Sequence, residues 1–175
     1  MADGTLKVGT ITNSQGSGNI AIGSGVTLLS NTPAFEAYGS GSNQSISDNV
    51  YEKVTVLNTE VFDTDSAFAS NTFTVPSGQG GKYYLFGIIR VDNANGAIRN
   101  STSAIYLNGS ISILKNYDDQ FEANSRYQTI VSVNGILELS AGDYVELYNS
   151  TNINAGSSII NAGTGTKFGA YRIGA

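Results

Sequence analysis

At 175 residues the chain is long enough for one domain with a real hydrophobic core plus an extension. Nine Lys and Arg against 14 Asp and Glu give a net charge of −5, too few cations to neutralise a nucleic-acid backbone or to hold an anionic membrane surface. The absence of Cys excludes disulfides and thiolate chemistry, and the absence of His removes the usual general base and the commonest transition-metal ligand.

Charged residues make up only 13% of the chain, so its polar surface must come from Asn, Ser, Thr and the 21 Gly. No stretch is apolar enough to span a bilayer, and we expect no membrane insertion. The opening MADGTLKVGT has neither a basic start nor an apolar stretch, and we expect no secretion signal.

Residues 1–32 differ from the rest. They lack aromatics and carry short apolar beads between turn residues: Leu6 and Val8, Ile11, then Ile20 and Ile22. This pattern supports short strands at best. A flexible tail and an arm that docks on another protein or intertwines with its own copies both fit; we expect an anchoring and oligomerisation arm, with these five residues as its anchor.

From Pro33 to Ala175, strand patterns follow at short intervals with turn signals between them, and no segment has sustained helical periodicity. Expected strands are Ala34 to Tyr38, Tyr51 to Leu57, Asn71 to Val75, Lys82 to Asp92, Ala104 to Leu107, Ser110 to Lys115, Tyr127 to Leu139, Tyr144 to Asn149 and Lys167 to Ile173. Asn108-Gly109 is the strongest hairpin turn. From Tyr127 the odd positions, Thr129, Val131, Val133, Leu137 and Leu139 among them, form one apolar face. Lys82 to Val91 is apolar on both faces: Tyr83, Leu85, Ile89 and Val91 on one, Tyr84, Phe86 and Ile88 on the other. The second face needs a cover, either a loop or another subunit, and we expect a subunit.

Four pieces in order carry a family resemblance. They are Pro33-Ala34-Phe35, then Asn58 to Asp63 with Phe73-Thr74-Val75-Pro76 leading through Gly81 to Tyr83-Tyr84-Leu85-Phe86, then Gly142-Asp143-Tyr144-Val145, and last Phe168-Gly169-Ala170-Tyr171. This arrangement resembles the globular head of complement C1q and its tumour-necrosis-factor-like relatives. The resemblance implies an all-β jelly-roll sandwich, a homotrimer and a binding rather than catalytic role. It implies a trimer interface on Tyr84, Phe86, Ile88, Phe168 and Tyr171. Gly87 departs from the pattern, the loop from Asn149 to Thr166 is long, and no Gly-X-Y collagen repeat precedes the head.

Chemistry-bearing clusters are few. Asp63-Thr64-Asp65 and Asp118-Asp119 are the close carboxylate pairs; both suit turns, and calcium at Asp118 and Asp119 is the alternative. No other cofactor is expected. Without His there is no serine-activating triad. Tyr106, Tyr117 and Tyr127 flank the middle loops and suit either sheet packing or recognition. Sequons at Asn43, Asn100, Asn108 and Asn149 are expected by chance in this composition.

These features lead to the expectation of a non-enzymatic bacteriophage virion surface protein, a head decoration or fibre, assembled in the host cytoplasm. Residues 1–32 would bind other virion proteins and 33–175 would form the head. The competing expectation is a tail-fibre tip that recognises a host-surface glycan or protein receptor.

Overall fold

The computed structural model describes residue 24, residues 32–119 and residues 126–174, the side chains of 111–114 and 119 excepted. The predicted anchoring residues Leu6, Val8, Ile11, Ile20 and Ile22 lie outside the described residues.

Thirteen strands and no helix occur among the described residues. In chain order they are β1 (Ala34–Tyr38), β2 (Gln44–Ile46), β3 (Glu52–Lys53), β4 (Thr59–Asp63), β5 (Phe68–Ala69), β6 (Thr72–Thr74), β7 (Gly81–Asn93), β8 (Ile98–Leu107), β9 (Ser110–Asp119), β10 (Gln128–Leu139), β11 (Tyr144–Ile153), β12 (Ser158–Ile160) and β13 (Lys167–Gly174). They form two antiparallel sheets, the expected jelly-roll sandwich.

The first sheet is built on β7. Along its whole length β7 pairs with β10, from Gly81–Leu139 to Asp92–Gln128. Its other edge is shared: β13 takes the first half, and β12 takes Val91 to Asn93. Beyond them lie β1 with β4, and β2. The second sheet runs β5-β6-β11-β8-β9, with β3 also on β11. Asn108 and Gly109, both at positive φ, close the β8–β9 hairpin as the sequence predicts.

The core lies between the sheets, where alternate residues of each strand point inward. Phe35 is its centre, stacked on Phe68 and Phe73 with ring centroids 4.6 and 4.8 Å away, and met edge-on by Phe168 at 5.2 Å. Tyr83, Leu85, Ile89 and Val91 of β7 face Val145, Leu147 and Ile105 across it. At one end the core turns polar. Asn149 donates to Ser101 Oγ and to the Thr102 carbonyl, and its Oδ1 accepts from Thr151. Each amide hydrogen-bonding group buried there has a partner, which is what makes the burial tolerable.

Several sequence expectations need correction. Of Tyr51 to Leu57 only Glu52–Lys53 is strand; Val54, Val56 and Leu57 are buried without a ladder of their own. β8 and β9 are each longer than expected, so Asp118 and Asp119 are strand residues and not loop residues. Tyr127 precedes β10 and is 66% exposed instead of continuing its inward face.

The two ends of the head are distinct. The chain begins β1 at Ala34, opposite Tyr171, which is opposite Tyr84 near the start of β7. Among the described residues, the first strand therefore begins, and the last strand ends, at the same end of the head. Asp92 and Asn93 lie at the other end, about eight strand residues or ~26 Å away.

Candidate functional site

Three surfaces of the head carry notable side chains. The first is the outward face of the β7 sheet. Because the core takes Tyr83, Leu85 and Ile89, the alternate residues Tyr84, Phe86 and Ile88 must point out, and all three are half-buried. The Tyr84 ring lies 5.3 Å from Tyr171 and 6.4 Å from Phe86. Phe86 lies across Gly169 of β13, where a Cβ would run into its ring. Ile136 of β10 stands opposite Tyr84 and is 54% exposed. Phe62 is also exposed and pairs with Glu36, which holds Lys167 Nζ at 3.0 Å.

This apolar stripe brings together four of the five predicted interface residues. Phe168 does not join them. Its neighbours Lys167 and Gly169 pair with the outward residues Ile88 and Phe86, so Phe168 alternates to the core side, where it is 0% exposed against Phe35. It supports the sheet from within. Ile136 was missed, because β10 reads as polar opposite its apolar face; its register with Tyr84 reveals it.

The second surface is the outward face of β8 and β11. Tyr106 stacks on Tyr148 at 3.8 Å, with Tyr51 6.1 Å from Tyr106 and Lys115 over the Tyr51 ring. Glu146 accepts from Lys53 Nζ at 2.7 Å and from Thr72 Oγ1 at 3.0 Å. Burial pushes the phenols of Tyr106 and Tyr148 up, with Tyr51 adding to the first and Glu146 to the second. The rings pack on one another and Glu146 is held by Lys53 and Thr72, so the cluster acts as packing on the outer face of this sheet.

The third is a cleft of about 450 Å³ at the end of β7 away from the terminal strands, lined by Arg90, Asp92, Tyr127, Gln128 and Ile159 among others. Arg90 Nε donates to Asp92 Oδ1 at 2.9 Å, and Asn161 braces the other carboxylate oxygen at 3.0 Å. Beneath the rim, buried Asn93 ties two loops together: it donates to the Ala155 carbonyl and to Ser158 Oγ, and accepts from the Asn95 and Ala97 amides. The Tyr127 ring lies against Gly96, where a Cβ would come within 2.9 Å of it.

The described carboxylates Asp118 and Asp63 are engaged within the protein. Asp118 accepts from Arg126 at 2.9 Å and from Thr129 at 2.8 Å. The Asp119 side chain lies outside the described residues. Asp63 accepts from the Phe68 and Asp65 amides, as a turn residue does. Groups of three or more acidic or metal-ligating side chains do not occur among the described residues. Of the sequons, Asn149 is 1% exposed with its amide fully engaged, which leaves no room for a glycan.

No protein-family model matches the sequence, and no curated protein matches it. Solved structures do match in fold. Murine APRIL is 11% identical with a TM-score of 0.59, over 82% of this chain and 100% of that one. The Eiger TNF of S. frugiperda is 13% identical with a TM-score of 0.58, over 81% and 92%. The globular domain of zebrafish complement 1qA is 16% identical with a TM-score of 0.55, over 81% and 97%. At these identities the likeness concerns the path of the chain, and it establishes that the protein has the all-β jelly-roll fold of TNF and C1q globular domains.

Proposed function

We propose that the chain is a non-enzymatic, homotrimeric surface protein of a bacteriophage virion, a head decoration or fibre. In this reading the jelly-roll head projects outward and residues 1–32 anchor it to other virion proteins. The observation that carries the assembly is the outward stripe of Tyr84, Phe86, Ile88, Tyr171 and Ile136. A contiguous apolar face on a sheet whose other face already packs the core calls for a partner surface. A second copy of the same chain supplies one, in keeping with the trimer that the C1q-like resemblance implies.

The virion setting is supported by composition: a chain low in charged residues, rich in Asn, Ser, Thr and Gly, and without Cys. The head presents one end away from its terminal strands, as a protein anchored through its N-terminal residues would need. The second reading, a tail-fibre tip that recognises a host-surface glycan or receptor, is favoured by the cleft at that far end.

Light scattering of the full chain, with and without a calcium chelator, tests the assembly. A trimer in both conditions is expected; a monomer overturns the interface assignment, and a trimer that dissociates on chelation restores calcium as a partner. Copy number on purified particles separates the two virion roles. Many copies bound through residues 1–32 mark a decoration protein, and a few copies whose loss abolishes adsorption mark a tail tip.

A further inference from the structure

We propose that the cleft at the far end of β7 is a saccharide-binding site that takes one neutral hexose or N-acetylhexosamine unit. This deepens the reading of the head as a surface module and rests on it for the cleft's orientation.

The volume of about 450 Å³ is that of a small-ligand site. Its lining has the chemistry a sugar requires. A sugar ring offers hydroxyls that both donate and accept, and C–H faces that are apolar. Asp92 and Arg90 put an acceptor and a fork of donors side by side, each held in place by the other, with Asn161 bracing Asp92. Gln128, opposite Asp92 in the β7–β10 register, adds an amide able to do both. Tyr127, exposed and seated on Gly96, offers a rigid ring face for the C–H side. Ile159, opposite Asp92 on β12, supplies an apolar contact on the other flank.

The site is preformed. The Asn93 side chain clips residues 95 and 97 to residues 155 and 158, and its backbone N–H donates to the Tyr127 carbonyl at 2.8 Å. Little ordering is then lost on binding. The apolar stripe occupies the half of the β7 face nearer the terminal strands; Arg90, Asp92 and Gln128 are the polar groups of the other half, which also carries the exposed Ile130 opposite Arg90. A trimer formed through the stripe would hold three clefts at one end, where weak single sites add up by multivalency.

The test is saturation-transfer NMR on the full chain with the methyl glycosides of glucose, galactose, mannose and N-acetylglucosamine, each titrated to tens of millimolar. At least one is expected to bind. Tyr127→Ala should weaken it roughly tenfold, the loss expected for one aromatic contact, and Gln128→Ala should also weaken it. Tyr117→Ala, an exposed tyrosine on the other sheet, should leave binding unchanged. If no glycoside binds, or if binding survives both cleft substitutions in folded protein, the proposal is wrong. Native mass on the same sample keeps the two readings separate. A trimer that binds no glycoside removes the saccharide site alone, and a monomer that binds one removes the trimer alone.

Discussion

Gly87 of β7 and Leu147 of β11 share one volume across the sandwich: a Cβ on Gly87 would occupy the place of the Leu147 Cδ1 methyl. Gly87 breaks the apolar alternation of β7 in the sequence, and this contact is why. The leucine of the opposite sheet fills the position that a β7 side chain would otherwise take, so the two sheets interlock there. Gly87→Ala should overpack the site and lower stability by about 1–3 kcal/mol. Adding Leu147→Val shortens the colliding side chain, and the double variant should be more stable than the two single losses summed, by more than about 0.5 kcal/mol. Denaturant unfolding of the four proteins measures this; strict additivity would show that the contact does not control the site.

Ile136 separates assembly from folding. It is 54% exposed on the protomer and stands opposite Tyr84 within the apolar stripe. Ile136→Glu should leave the isolated fold within about 0.5 kcal/mol, as for most surface changes. In the trimer it would place a charge in a desolvated contact. The expected result is a folded monomer by light scattering with an unchanged circular dichroism spectrum. A folded trimer would place the interface elsewhere.

What was legible in the sequence follows from how strongly each strand is buried on one face. β1 matches its expected bounds, and the two-faced pattern of β7 pointed directly to the outward stripe. The sequence places the start of β8 at Ala104, while the strand begins at Ile98 and takes in the polar run Ser101, Thr102 and Ser103. They are buried, and Ser101 is satisfied by Asn149 and Thr151, a pairing that no local pattern encodes. β2, β5 and β12, with two or three residues each, are too short for periodicity; Ser158–Ile160 is strand because β7 and β2 flank it. The cleft joins residues far apart in sequence, Arg90, Tyr127 and Ile159. Of these the sequence marks only Tyr127, by its place beside a loop, and its alternation with Thr129 and Val131 predicts an inward ring where the structure has an exposed one.

Alkaline pH should destabilise the fold through three tyrosines. Burial raises the phenols of Tyr83, Tyr106 and Tyr148 above their ordinary value of 10.0. The unfolded chain therefore loses these protons first as pH rises, and folding stability falls because the native state binds more protons than the unfolded one. The stabilisation is complete below about pH 10 and is lost as pH rises through the folded values. Thermal melts across this range, with phenolate absorbance in parallel, measure it. Glu146→Gln should bring the Tyr148 phenol down but leave it raised, since burial is the larger cause. A return to the ordinary value would make the charge of Glu146 dominant instead.

At acid pH Asp143, which closes the turn between β10 and β11, should contribute to the loss of stability. Its Oδ1 accepts from the Asn108 amide at 2.8 Å and its Oδ2 from the Ser140 backbone at 2.7 Å. Asn108 in turn accepts from the Tyr144 amide, so the β8–β9 hairpin is clipped to the start of β11. These bonds favour the ionised form and hold the carboxyl below its ordinary value of 3.8, the Asn108 bond most strongly. The stabilisation is present above the unfolded value and is lost as pH falls through the folded one. Asn108→Gly keeps the positive φ of the turn at no steric cost while removing the amide. Carboxyl NMR titration should show Asp143 moving up toward its ordinary value in that variant. The acid limb of its stability curve should become correspondingly shallower. An unmoved titration would mean that the Ser140 bond alone sets the shift and that the clip between the two turns carries no ionic character.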